Sequence, residues 1–351
     1  MRTRTADDLA ALLGSAAASL AVVWVLFGQV LAWSGTLGFL VCWYLAFLGL
    51  YVVVTALSNP RHVVWARVAA TWIHAGVAVV AAGLGTAVVY TFVQGAPALA
   101  HVNFFTQDMA GVGPTAPLSR GGILHAIVGS IIEIAIASAV SVPLGVATAV
   151  FMTEVGGRFS RIVRTVVEAM TALPSIVAGL FIYTTLIVSL HLPRTGFTAA
   201  MAISVMMLPI IARAADVALR VVPGGLREAG LALGASQWET VRRIVLPTAR
   251  PGLATAVILG VARSVGETSP VLLTSGASTY FNANPFQDPM NSLPLFVFSS
   301  VRSGEPLYIQ RGFGAASVLL AGVLVLFVIT RLVARSSGVR RSRVRQRASS
   351  S

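Results

Sequence analysis

Residues 228–247 read Glu-Ala-Gly-Leu-Ala-Leu-Gly-Ala-Ser-Gln-Trp-Glu-Thr-Val-Arg-Arg-Ile-Val-Leu-Pro, and their punctuation defines two short helices around a turn. Pro223 opens the first, over 224–233, with Leu226, Gly230 and Leu233 on one face, and Gly234 stands where a left-handed C-terminal residue is expected. Ser236 to Glu239 form a capping box, in which hydroxyl and carboxylate satisfy backbone donors reciprocally, so a second helix follows and runs to Pro247. Its apolar stripe is Trp238, Val241 and Val245. Such a stripe either docks in a partner's groove or lies on a bilayer surface, anchored by Arg227, Arg242 and Arg243.

The chain around this segment is far too apolar to be soluble. Its 351 residues are 56% hydrophobic and 11% charged, with a mean hydropathy of +0.84, more apolar surface than a domain of this size can bury. Apolar runs near the ~20 residues that span a bilayer as helix recur at about 9–33, 36–57, 71–93, 123–152, 165–190, 196–212, 251–274 and 312–334. The expected fold is an all-α polytopic membrane protein with about eight transmembrane helices. The first run follows Arg2 and Arg4 as a signal peptide would, but Asp7 and Asp8 intervene and no clear small-residue cleavage site follows, so it reads as an uncleaved span.

The net charge is +13, and all 25 basic residues counted are arginine. With a cytoplasmic N-terminus, twenty of them fall on the cytoplasmic side, only Arg120, Arg194, Arg302 and Arg311 fall outside, and Arg263 lies within a span. That asymmetry is the positive-inside pattern. It places both termini in the cytoplasm of a multi-pass cell-membrane protein and removes nucleic acid as the reason for the charge. The basic tail, Arg335 to Arg347, suits anionic lipid headgroups. Cys42 is the only cysteine, which excludes an intrachain disulfide and a cysteine-based metal site.

Three connections exceed simple turns: 94–122 and 275–311 outside, and 213–250 inside. The outer two carry Pro97, Pro114, Pro117, Pro285, Pro289 and Pro294 beside Phe104, Phe105, Tyr280 and Phe281, which read as irregular structure, either a docking surface or loop filler. Pro143, Pro174 and Pro209 fall within or at the ends of spans, where each frees a carbonyl and kinks a helix, in a gate or in a static bundle alike.

Inside the seventh run, Arg263 and Glu267 stand one helical turn apart. A charge in mid-membrane costs on the order of 3 kcal/mol, so the pair is either a buried structural contact or an anion site whose guanidinium is held by Glu267. The forked donors of arginine match two oxygens of a tetrahedral oxyanion at once. Glu133, in the fourth run, stands alone and takes no assigned role.

Glu228-Ala229-Gly230, then Gly234, then Ile244 to Pro247 resembles the E-A-A, three residues, G, nine residues, I-x-L-P loop of ABC importer permeases, with Gly230 in place of the second alanine. The segments Ala172 to Leu180, Met207 to Arg213 and Ala262 to Thr268, with Phe104-Phe105-Thr106 and Gly121-Gly122-Ile123, narrow the likeness to the PstA-type permease of the phosphate-specific ABC importer, over about residues 75–335. The resemblance implies a six-helix type I permease core at 71–335, with its coupling-helix loop at 216–250, preceded by an extra N-terminal hairpin at 1–60 and followed by a basic tail at 336–351. It implies that Glu228, Ala229, Gly230, Gly234, Trp238, Leu246 and Pro247 couple the chain to an ATPase. It also implies that Arg263, Glu267 and Arg213 line the substrate pathway, although an orientation anchor is an equal rival for Arg213.

The implied partners are a second homologous permease, two ATPase subunits and an extracytoplasmic phosphate-binding protein. With no lysine there is no G-x-x-x-x-G-K-[ST] phosphate loop, so no cofactor is expected on this chain, and ATP and Mg belong to the partner ATPase. Permeases for sulfate, molybdate or phosphonate are the nearest alternatives, because a cationic site does not distinguish tetrahedral oxyanions. An ion-coupled secondary transporter is further off, for no second similar half is evident. His62, His74, His101, His125 and His191 are scattered, which leaves no catalytic constellation for a membrane-embedded enzyme.

Overall fold

The computed structural model describes residues 6–30 and 35–348. Arg2, Arg4, the end of the first apolar run at 31–33 and residues 349–351 lie outside them. Among the described residues the chain is helical throughout, with no strand and one isolated bridge between Gly276 and Met290. Seven helices are long and apolar enough to cross a membrane, and eight if a bent pair counts as one. The chain is thus an all-α polytopic membrane protein.

It divides into two units, one through Val88 and one from Val89. In the first, α1 (Ala6–Val25), extended by a π turn, pairs with α2 (Thr36–Ser58). Phe47, Leu48 and Tyr51 bury against Ala11, Leu12 and Ala16, and Trp43 Nε1 donates to the Ala16 carbonyl at 3.2 Å. Tyr44 packs edge-on against Trp72 at the start of α3 (Arg61–Leu99).

The second unit begins in the last turns of α3 and continues through the single turn α4 (Asn103–Thr106) to α5 (Leu124–Val150). Then come α6 (Gly157–Thr171), α7 (Ser175–Ile182), α8 (Gly196–Arg220), α9 (Gly224–Ala232), α10 (Gln237–Thr240) and α11 (Leu246–Ser264). The chain closes with α12 (Ser269–Thr274), α13 (Leu293–Arg302) and α14 (Pro306–Ala348). α8 is the centre. Its Ala199, Ala200, Ile203, Met207 and Ile211 bury against Ala137 of α5 and Val271 of α12. Small residues set the spacing, as expected where lipid supplies no hydrophobic drive and contact depends on close approach. At Gly260 of α11 an added Cβ would lie 2.5 Å from Ile211 Cγ1.

Several elements differ from the sequence reading. The run at 165–190 is two helices, α6 and α7, bent by 104°. Pro174 lacks the N–H that would continue α6 and drives Leu173 out of helical conformation. The run at 251–274 ends as α11 at Ser264, and α12 is separate. Pro247 does not end the second short helix: Gln237–Ser264 is one continuous helix, because a π turn at Val241–Val245 absorbs the missing donor. α8 runs on to Arg220, so Arg213 lies inside it. The outer connections hold more helix than expected, since Pro97 lies within α3 and 275–311 contains α13 and the start of α14. Arg311 is fully buried there. Its Nη2 donates to the carbonyls of Ala116, Pro117 and Arg120 at 3.0, 2.8 and 2.9 Å, which ties the 113–121 loop to the bundle.

Gly260→Leu should push α11 from α8 at a cost of about 1–3 kcal/mol. It is expected to lower the thermal unfolding midpoint of the purified protein, whereas Gly322→Leu, at a helical position with no atom within 4 Å, should not lower it.

Candidate functional site

The glycine turn and the capping box between the two helices form as their punctuation dictates. Gly234 takes a φ of +83° after α9, a left-handed conformation that glycine adopts without strain. Ser236 Oγ accepts from the Glu239 N–H at 3.2 Å, and Glu239 Oε2 accepts from the Ser236 N–H at 3.3 Å. Gly230 is buried, and a Cβ there would meet Ile244 Cδ1 at 2.7 Å and Thr240 Oγ1 at 3.1 Å, so α9 lies closely against α10 and the π turn.

The expected apolar stripe is divided. Val241 and Val245 are buried in the bundle, while Trp238 is 64% exposed, and Leu231 in α9 and Leu233 at its C-terminus are exposed as well. Leu246 packs partly buried beside Val245 and Ala249, and Pro247 continues into α11. Glu228 and Ala229 are exposed.

Arg227, one residue before this motif, holds the helix pair to the bundle. Its guanidinium reaches Glu154 Oε1 at 2.8 Å and the carbonyls of Val222 and Leu219 at 2.7 and 3.0 Å. Glu154 lies in the π turn Phe151–Val155 that extends α5, and its main-chain carbonyl also accepts from the Gln237 side chain.

At the far end of α11, Arg263 Nη1 donates to Glu267 Oε1; the expected pair forms, but across the helix end at Ser264 and not along one continuous helix. The pair is asymmetric: the glutamate side chain is 7% exposed and the arginine 59%. Arg263 opens on a cavity of about 550 Å³, together with Leu259, Met206, Ile210, Met170 and Pro174. A second cavity, of about 220 Å³, holds Arg213, Arg164, Glu168, Asp216 and Arg220.

Met206, Ile210, Arg213, Val217 and Arg220 recur along one face of α8, and Arg164, Val167, Glu168 and Thr171 along one face of α6. The two cavities therefore succeed each other in one groove between α6 and α8. The structure brings Arg263 and Arg213 to the same groove but not to the same cavity.

Asp216 was not singled out in the sequence, yet it organises the second cavity. It is buried and accepts from Arg164 Nη1 at 2.7 Å and Nη2 at 3.1 Å, from Arg220 Nε at 3.1 Å and from Thr153 Oγ1 at 3.0 Å. Its i, i+4 relation to Arg220 was a readable signal. Its contact with Arg164, 52 residues away, was not. Glu133 is likewise buried in α5, where its Oε1 accepts from Ser275 Oγ at 3.0 Å and so fixes the segment that follows α12.

Residues 141–339 match the family described as binding-protein-dependent transport system inner membrane component. The phosphate transport system permease protein PstA 1 of Mycobacterium tuberculosis (strain CDC 1551 / Oshkosh) is 38% identical over 243 residues, 67% of this chain and 79% of that protein. PstA of Mycobacterium leprae (strain TN) is 38% identical over 70% of this chain and 83% of that protein, and PstA of Haemophilus influenzae 34% over 68% and 83%. Among solved structures, the inward-facing MetNI methionine ABC transporter aligns at 21% identity and a TM-score of 0.47, covering 61% of this chain and 94% of that chain. With its helical bundle, its capped helix pair and these relatives, the chain belongs to the binding-protein-dependent inner membrane permeases, in the PstA group.

Proposed function

We propose that the chain is the transmembrane permease subunit of an ATP-driven phosphate importer and forms its translocation pathway by alternating access. The observation that carries this reading is one continuous helix, Gln237–Ser264, with exposed Trp238 near one end and Arg263 on the groove at the other. The 25 residue-to-residue steps from one to the other, at about 1.5 Å each, make a strut of roughly 37 Å. A push on the short helix pair therefore reaches the groove without passing through a flexible loop.

Family membership implies ATPase and substrate-binding components. The full assembly has two ATPase subunits, which bind ATP and Mg, a second homologous permease and an extracytoplasmic phosphate-binding protein. The permease itself is a non-catalytic transport subunit. Glu228, Ala229, Gly230, Gly234, Trp238, Leu246 and Pro247 form the coupling element. Exposed Trp238 and Leu233 seat in the ATPase cleft, and buried Gly230 holds the two short helices together as one body. The arginine distribution puts this element and both termini in the cytoplasm.

Phosphate meets Arg263 first. Glu267 engages a single donor of that guanidinium, and an arginine has five N–H donors in a fixed fork, so enough remain to hold two oxygens of a tetrahedral anion. Arg213 lies further along the groove in the adjoining cavity and accepts the anion as the groove changes shape. The names of the PstA relatives favour phosphate over sulfate, molybdate and phosphonate.

Arg263→Gln removes a charged hydrogen-bond partner, an interaction of roughly 1.5–3 kcal/mol, and should cut phosphate uptake by at least about tenfold in cells that still assemble the complex. Uptake at the wild-type rate would refute the anion site, and stronger competition by sulfate, molybdate or phosphonate than by unlabelled phosphate would reassign the cargo. A photocrosslinker at position 238 should capture an ATPase subunit. Its failure to do so in the assembled complex would remove the coupling role.

A further inference from the structure

Between the helix pair and the groove lies a chain of polar contacts that the substrate and coupling residues do not use. Arg227 of α9 holds Glu154. The preceding residue, Thr153, places its Oγ1 3.0 Å from Asp216 Oδ1, sharing its one hydrogen with the Ala149 carbonyl at 2.8 Å. Asp216 in turn holds Arg164 of α6 through two donors. Both carboxylates are sequestered, with side chains 9% and 7% exposed. Breaking a buried ion pair by removal of one member leaves an uncompensated charge, so separation of either pair calls for a replacement partner. The neighbours Thr153 and Glu154 therefore join α9 to Asp216 of α8, and through it to Arg164 of α6, the opposite wall of the groove.

The junction has room to move and an alternative partner. The 220 Å³ cavity lies on its Asp216 side, and a cavity of about 580 Å³ lined by Glu154, Arg227 and Gln237 lies on the other. Arg220 lines both. It is on Asp216 at 3.1 Å in this structure, and its side chain is 55% exposed, so it is free to exchange between the two carboxylates. A displacement of α9 that draws Arg227 from Glu154 leaves that carboxylate short of a cation, and Arg220 is the one beside it. Its departure from Asp216 would loosen the hold on Arg164 and with it α6.

We propose that Arg227, Glu154, Thr153, Asp216 and Arg164 form a transmission junction that turns movement of the helix pair into movement of α6, with Arg220 as the exchanging partner. This rests on the coupling role given to the helix pair above. Energetic coupling is established when an element with two arrangements is biased from both ends, and the Arg220 exchange supplies those two arrangements.

The test reads inorganic phosphate import and ATP hydrolysis in the same proteoliposomes of the complete transporter, with crosslinking from position 238 as the measure of docking. Thr153→Val is nearly isosteric and removes the hydroxyl that links the two ion pairs, together with its bond to the Ala149 carbonyl in the same helix, while leaving all four charged partners in place. It should lower phosphate imported per ATP by about fivefold or more, within the usual range of coupling between sites, with hydrolysis and crosslinking retained. Thr153→Ser, which keeps the hydroxyl, should restore the wild-type ratio, and Glu154→Gln should lower it as Thr153→Val does. A wild-type ratio in Thr153→Val, or import and hydrolysis falling together, would overturn the junction and leave the coupling role standing. Absence of the crosslink in the wild-type complex would overturn the coupling role and the junction with it.

Discussion

The close seating of α11 on α8 is the constraint on which the other features depend. Ile211 of α8 is caught between two glycines: a Cβ at Gly145 of α5 would come 2.9 Å from its Cγ2, and one at Gly260 of α11 would come 2.5 Å from its Cγ1. A third contact, Gly252 against Ala218, repeats the arrangement two turns along. Lipid is as apolar as these side chains, so burial alone gives little reason for them to associate. What holds them is the number of atoms brought to contact distance, each contributing about 0.1–0.2 kcal/mol. Three helices locked this way behave as one body, and α11 carries the motions and the charges at its two ends with it.

Against that block, α6 and α7 are the pliable wall. The 104° break at Pro174 opens irregular backbone at Ala172–Pro174, which membrane interiors tolerate where it lines a cavity or is covered by protein. Pro174 does line the cavity that Arg263 faces. α7 is in turn pressed against α12, where a Cβ at Gly179 would come 2.6 Å from Pro270 Cα. The groove thus has one side built on close glycine contacts and one side broken at Pro174.

What could be read from the sequence was what is decided locally. Gly234, Ser236 and Glu239 build their turn and capping box from atoms within a few residues, whereas Arg263 meets Glu267 even though α11 ends at Ser264 between them. Where a local rule competed with packing, packing won. Pro247 is a helix terminator by rule, yet burial of Val241 and Val245 keeps the chain on course and a π turn takes up the mismatch. The same burial divides the apolar stripe of the second helix, of which Trp238 alone stays exposed. Pro174 signalled a kink, but the size of the bend depends on where α12 and α8 stand. The pairs Arg164–Asp216 and Arg227–Glu154 join residues 52 and 73 positions apart, and no periodicity in one chain announces such contacts.

The ion pairs themselves show which arginines are structural and which are available. Arg164 spends both terminal nitrogens on Asp216, and its Nη2 also reaches the Met152 carbonyl at 3.3 Å, so little of its fork is left for a ligand. Arg227 is similarly engaged by Glu154 and two carbonyls. In the Arg263 pair the carboxylate is the buried member and the guanidinium the exposed one, joined through a single nitrogen. A buried acid that takes one donor positions its arginine and reduces the cost of a charge in the membrane without consuming the fork. The arginines are thus of two kinds, those whose charge is already spent in holding helices together, such as Arg164 and Arg227, and those whose donors still face open space, such as Arg263. Only the second kind has donors left for a ligand.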